Sequence, residues 1–138
     1  MSEKDCIFCR IVKGELPAYK VYEDTDFLGF LDIKPLNPGH TLLIPKNHYR
    51  FVADVPNFGH YFEIAKKVGT GIKQATGHKH LYFLCLGNLV KHAHIWILPH
   101  FAGDGHGTAV NWEAVKSQDE KEMETIAEKI KLQIGGAI

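Results

Sequence analysis

The sequence has no excess of either charge: 16 Lys and Arg residues balance 16 Asp and Glu residues. A chain without a basic surplus is not drawn as a whole to nucleic acid or to an anionic membrane, so neither is expected as a partner. No apolar run approaches the roughly 18 residues that a membrane span needs. Met1–Asp5 is polar and no apolar h-region follows it, so no secretory signal is read there and the expected compartment is the cytoplasm. Cysteine is scarce, with 3 in the chain. In that compartment Cys6, Cys9 and Cys85 read as thiols or metal ligands rather than as a disulfide framework. Internal repeats and low-complexity linkers are also missing. The composition, 45 % apolar and 23 % charged, argues against disorder as the main state. A chain of 138 residues suggests one domain, 1–138, able to bury roughly two thirds of its unfolded surface. The one outlying number is histidine, with 9 residues.

Turn and periodicity signals divide the chain into short strands and two longer helices. Cys6–Val12 reads as a short helical turn closed by Lys13-Gly14. Tyr19–Tyr22 and Phe27–Leu31 read as strands around the turn Glu23-Asp24-Thr25-Asp26, and His40–Ile44 as a third strand stopped by Pro45. Apolar residues at 58, 61, 62, 65, 68 and 72 predict a helix over 56–75, weakened by Gly69 and Gly71 and capped by Gly77. Leu81–Leu86 is continuously apolar and reads as a buried strand. Val90–Leu98 reads as a fifth strand stopped by Pro99. The glycine-rich stretch 101–111 reads as a loop. Ser117 with Glu120 is a capping-box pattern before a C-terminal helix at about 118–134, whose face is Met123, Ile126, Ala127, Ile130 and Ile134. The first three strands are joined by connections too short for parallel crossovers. The expected fold is therefore α+β: a mainly antiparallel five-stranded sheet with a central helix and a C-terminal helix.

The segment Val90-Lys91-His92-Ala93-His94-Ile95-Trp96-Ile97-Leu98-Pro99 carries the clearest chemical signal. Alternation along a strand puts His92, His94 and Trp96 on one face, while Ala93, Ile95 and Ile97 are fit for a core on the other. Same-face neighbours lie roughly 6.5–7 Å apart. Two imidazoles held that way can serve one substrate, or bind a metal and a substrate side by side; a strand with two surface histidines is the plain alternative. Cys6-Ile7-Phe8-Cys9 is a Cys-x2-Cys pair, able to supply half of a tetrahedral zinc site. A redox pair and two core cysteines remain the other readings. Spacing alone does not select the missing ligands among the histidines.

The stretch His92-Ala93-His94-Ile95-Trp96-Ile97-Leu98 resembles the His-φ-His-φ-His-φ-φ mark of the histidine triad (HIT) family, where φ is apolar. The run from Cys6 to Pro17 is similar to the opening of zinc-containing members. The run from Phe30 to His48, with Asn37-Pro38-Gly39-His40 at its centre, is similar to the family's central strands. The resemblance covers roughly residues 5–107, leaving 108–138 as an extension. It implies His94 as the nucleophile and Cys6, Cys9, His48 and His92 as ligands of a structural zinc. It implies Ile7, Phe8, Phe30 and Ile33 around a nucleobase, Asp32 on the ribose hydroxyls, His40 beside the catalytic strand and Asn88 near the α-phosphate. It further implies a homodimer, an expectation that the broad apolar face of helix 56–75 also motivates.

Family members act on phosphorus bonded to a nucleoside, breaking phosphoramidates or dinucleoside polyphosphates. The resemblance therefore implies a hydrolase or nucleotidyltransferase working through a covalent nucleotidyl-His94, with a purine nucleotide as partner and an AMP-like product. Trp96 stands where the third histidine is expected, Leu89 where relatives often carry Ser or Thr, and His100 where many carry Arg. Trp96 could stack on a base or a leaving group. These departures keep open a nucleotide-binding protein with little or no activity. A zinc-stabilised interaction module without a nucleotide is the third class.

Overall fold

The computed structural model describes residues 5–135; Met1–Lys4, the body of the polar start, and 136–138 lie outside the described residues. The elements are α1 (Ile7–Val12), β1 (Lys20–Glu23), β2 (Phe27–Leu31), β3 (Thr41–Pro45), α2 (Phe58–Thr76), β4 (His80–Leu84), β5 (Ile95–His100) and α3 (Glu120–Ile134). The strands form one sheet in the order β1-β2-β3-β5-β4, and every neighbouring pair is antiparallel. The expected α+β class and antiparallel sheet are thus what the chain adopts. The β1–β2 turn follows from Asp24, whose Oδ1 accepts the N–H groups of Asp26 and Phe27, both at 2.8 Å.

The two faces of the sheet do different work. One is covered by α2 and α3, and its core includes Val21, Leu43, Ile95, Ile97, Tyr61, Val68, Ile72 and Ile130. The other carries a smaller apolar cluster formed with α1, including Phe8, Leu28, Phe30, Leu42 and Ile44. Register sets that second face. Phe30 pairs with Leu42 and Leu42 with Trp96, so the three stand in one row across β2, β3 and β5.

Helix α2 bends its own propensity to packing. A Cβ on Gly69 would lie 2.8 Å from Leu81 Cδ1, and one on Gly71 would lie 2.5 Å from Ile134 Cγ1. These glycines, read from sequence as weak points, are where β4 and α3 come close. Gly77 ends α2 with φ 78, a left-handed conformation that costs glycine little. The face of α2 that suggested self-association is largely used by α3 within the chain.

Three sequence expectations need correction. The strand read as Val90–Leu98 and stopped by Pro99 begins only at Ile95 and runs through Pro99 to His100, paired with β4. Pro45, opposite this stretch, has no N–H to extend the ladder, and Ala93 N–H instead donates to Tyr49 O at 2.7 Å. The apolar run Leu81–Leu86 is not a buried strand: β4 spans His80–Leu84 at the sheet edge, with His80 and Phe83 exposed. The capping box before α3 is Asp119 with Glu122, not Ser117 with Glu120. Asp119 Oδ1 accepts Glu122 N–H at 2.8 Å, and Glu122 Oε1 accepts Asp119 N–H at 3.2 Å.

Candidate functional site

Cys6, Cys9, His48 and His92 come together from three separate segments. Their ligand atoms all lie within 4.8 Å of one another. Cys6 Sγ is 3.3 Å from His92 Nδ1, and Cys9 Sγ is 3.2 Å from His48 Nδ1 and 3.4 Å from His92 Nδ1. Ligands on a tetrahedral zinc, with Zn–S near 2.3 Å and Zn–N near 2.1 Å, stand roughly 3.6 Å apart, so two thiols and two imidazoles at these separations fit that ion. The tautomer fits too. His92 Nε2–H donates to Pro45 O at 2.8 Å, which leaves Nδ1 with its lone pair toward the sulfurs. Neither cysteine is in a disulfide, and both are buried. The group satisfies the second half of the site that the cysteine pair left open.

The same segment sets up the neighbouring histidine. His94 Nδ1 lies 2.8 Å from the main-chain oxygen of His92. A carbonyl only accepts, so Nδ1 carries the proton and Nε2 keeps a lone pair. Burial pushes the His94 imidazole below its ordinary pKa, against the opposing pulls of that backbone hydrogen bond and of Asp32. The net direction favours the neutral imidazole. Phe8 from α1 packs its ring edgewise on it, with centroids 5.4 Å apart.

His94 opens into a cleft of about 1040 Å³ lined by residues of α1, β2 and β5 and, further along, by Glu120, Glu124 and Glu128 of α3. Ile7, Phe8, Phe30, Asp32, Ile33, Asn88 and Trp96 line it as well, so seven of the eight side chains assigned to substrate share one space with His94. Ile33 is 74 % and Ile7 49 % exposed, an amount of bare apolar surface that a bound apolar ring would cover. Asp32 Oδ1 accepts Lys34 N–H at 2.8 Å, leaving Oδ2 for other donors. Burial raises the Asp32 pKa above the ordinary carboxylate value.

His40, the eighth, does not line the cleft. It is buried behind Trp96, with ring centroids 4.6 Å apart. Its Nδ1 accepts Leu36 N–H at 3.2 Å, so Nε2 holds the proton, and that atom has no hydrogen-bond partner among the described residues. Asp32 Oδ2 is 3.8 Å away. Burial, and after it His106, pushes the His40 pKa down to about 3.

A polar knot that sequence reasoning missed anchors the following loop. Asp104 Oδ2 accepts from Asn37 Nδ2 at 2.9 Å, His100 Nδ1 at 2.7 Å and Phe101 N–H at 3.1 Å. Burial pushes its carboxyl up, but these bonds and one from His106 N–H outweigh it and hold Asp104 well below the carboxylate range. The partners lie as far as 67 residues apart in sequence, so no local spacing announces them.

A five-stranded antiparallel sheet with helices on it, turning an oriented imidazole toward a cleft, defines a class of small α+β proteins. This chain belongs to the HIT domain family, whose HIT domain matches residues 13–103. An uncharacterised HIT-like protein of Methanocaldococcus jannaschii is 39 % identical over 128 residues, 86 % of this chain and 95 % of that protein. The adenosine 5'-monophosphoramidase HNT1 of Candida albicans is 30 % identical, over 94 % of this chain and 91 % of its own. Among solved structures, a histidine triad nucleotide-binding protein of Sulfolobus tokodaii superposes with a TM-score of 0.81 at 32 % identity, covering 94 % of this chain and 91 % of its own. A zinc-bound histidine triad family protein of Mycobacterium smegmatis superposes at 0.77 with 26 % identity, covering 96 % and 95 %.

Proposed function

We propose that the chain cleaves nucleoside phosphoramidates or dinucleoside polyphosphates at the α-phosphorus, with His94 as nucleophile. The observation that carries this reading is the bond from His94 Nδ1–H to the His92 carbonyl, which leaves Nε2 unprotonated beside the cleft. In the first step the Nε2 lone pair forms a bond to phosphorus. The phosphorus–nitrogen or phosphorus–oxygen bond opposite breaks, and its electron pair leaves with the amine or phosphate, which takes up a proton when it is an amine. In the second step water adds to phosphorus, the phosphorus–Nε2 bond breaks, and the water's proton passes to solvent. Nucleoside monophosphate is released and His94 returns to its starting form.

The remaining residues divide the substrate among them. Ile7, Phe8, Phe30 and Ile33 take the base, Asp32 Oδ2 the ribose hydroxyls, and Asn88 the α-phosphate. Cys6, Cys9, His48 and His92 would hold a zinc ion. With four protein ligands it has no open position, and its chemistry is to tie α1 to the His92–His94 segment. The phosphoramidase name of the Candida relative supports the substrate class. The exposed edge strand β4, with Phe83 on its surface, supports a homodimer.

Intact mass tests the reading. The protein is mixed with adenosine 5'-phosphoramidate or diadenosine polyphosphate and denatured within seconds at neutral or alkaline pH, beside His94→Ala. An AMP-sized increase in the wild type alone is the expected result. No increase, with no AMP formed over hours, overturns it. That outcome would favour the second reading, a nucleotide-binding protein with little or no activity, which Trp96 in place of a third histidine supports.

A further inference from the structure

Three consecutive residues after β3 reach three different parts of the site. His48 Nδ1 lies 3.2 Å from Cys9 Sγ in the Cys–His group. Tyr49 O accepts Ala93 N–H at 2.7 Å, next to His94. Arg50 Nη1 donates to Gly87 O at 2.6 Å. The first two ties hold the Cys–His group and the His92–His94 segment. The third reaches a wall of the cleft and lies outside the reacting groups.

That wall is irregular chain. β4 ends at Leu84 and β5 begins at Ile95, so residues 85–94 belong to no strand. Leu86, Asn88, Leu89 and Val90 line the cleft on either side of Gly87. Gly87 is gripped from two sides. A Cβ there would lie 3.0 Å from Phe51 Cδ1 and 3.1 Å from Cε1, so a side chain would push the ring away. The Arg50 guanidinium lies over the same ring, 4.3 Å from its centroid. Phe51 is tied in turn at its backbone: its N–H donates to Asp54 Oδ2 at 3.2 Å, and Asp54 N–H donates to Phe51 O at 3.0 Å. A planar guanidinium stacked on a held ring loses less freedom on bonding than a free cation would.

Resting on the nucleotide reading, we propose that Arg50 is a positioning residue: through Gly87 O it sets Asn88 for the α-phosphate without touching the nucleotide. Asn88 lines the cleft, whereas Arg50 does not. The Gly87 oxygen belongs to the peptide unit that joins Gly87 to Asn88. That unit is planar, so a bond that fixes its oxygen also fixes the plane holding the Asn88 nitrogen and Cα. The Asn88 carboxamide leaves from that Cα, and on irregular chain its direction follows the backbone. The far end of the brace is firm as well, because the preceding residues are tied to Cys9 and Ala93.

Calorimetry with AMP and with adenosine tests this without any turnover. Arg50→Met is expected to weaken AMP about five- to tenfold and adenosine by less than about twofold, because only the phosphate contact is misplaced. Arg50→Lys keeps one donor for Gly87 O and should recover part of the loss. In an Asn88→Ala background, Arg50→Met should weaken AMP by less than about a further twofold, since the group it positions is gone. A charge acting on the phosphate from a distance would persist in that background, and a loosened fold would weaken adenosine as much as AMP; either result overturns the proposal. If the wild type binds neither compound at millimolar concentration, the nucleotide reading fails separately. Backbone NMR relaxation then reads the brace itself. Order parameters at 87–89 falling in Arg50→Met from about 0.85 to below about 0.6, with α2 unchanged, support the hold of Arg50 on Asn88. Unchanged order parameters overturn it.

Discussion

His94 Nδ1–H donates to the backbone carbonyl of His92, so one residue's main chain orients the His94 ring while its side chain faces two cysteines. The Cys–His cluster and the His94 imidazole are therefore two ends of one short segment.

On the proposed reading, removing the His94 imidazole should separate chemistry from folding. His94→Ala is expected to lose at least about a thousandfold in kcat. Circular dichroism and melting temperature should stay near wild type, since the His92 carbonyl loses one neutral hydrogen bond only. Retention of more than a tenth of the activity would exclude His94 as the attacking group.

The cysteine–histidine group should carry one zinc per chain by elemental analysis. Cys9→Ser or chelation is expected to strip the metal and lower the melting temperature by roughly 5 °C or more. Because Cys9 also meets both histidines, its loss should slow turnover through a misplaced His94 segment. A variant that keeps full zinc content would show that Cys9 is not a ligand.

Stability should fall in acid through His40. Its folded pKa is about 3, whereas an unfolded histidine titrates near 6.5. Between these values the unfolded chain takes up a proton that the folded chain refuses. The contribution is fully present above pH 6.5 and is lost as pH falls toward 3, by up to about 1.4 kcal/mol per pH unit. Asp32 Oδ2, 3.8 Å from Nε2, and His106 are the titrating groups around it. Urea unfolding of wild type and His40→Gln at pH 7.5 and 5 checks this. The variant should lose less on acidification, and parallel losses would remove His40 from the account.

The two central glycines of α2 should respond differently to alanine. At Gly71 the added Cβ would lie 2.5 Å from Ile134 Cγ1, next to the α3 backbone rather than at a flexible tip, so Ile134 must shift where α3 packs on α2. Gly71→Ala is expected to cost about 1–3 kcal/mol. At Gly69 the near atom is the tip of Leu81, which can turn aside, and the gain in helix propensity of about 1 kcal/mol offsets part of the clash. Denaturant midpoints decide it; equal shifts at the two sites would contradict the packing described.

Where local chemistry decides structure, the sequence was readable. The period of α2, the Asp24 turn and the continuous apolar strand Phe27–Leu31 all depend on near neighbours, and each appears where periodicity puts it. The His92–His94 segment was read as strand because its alternation is right. What stops the ladder there is Pro45 on another strand, together with the 48–50 loop. Leu81–Leu86 was read as buried because edge position is a property of sheet order, which no single strand encodes. Eight residues of the cleft, His94 among them, could be named from motif resemblance. The Asp104 knot and the Trp96–Trp112 corner, where the two rings meet edge to face with centroids 5.5 Å apart, could not, since both arise from chain segments that meet only in the folded state.

The HIT domain match ends at residue 103, and Trp112 lies beyond it on a loop pinned to Pro35 and Leu36. The Trp96–Trp112 corner thus joins the matched stretch to residues beyond it, through a few hydrogen bonds. A grafted or altered 105–115 segment would rebuild that corner while the His92–His94 segment keeps its own hydrogen bond, so the two can be varied independently.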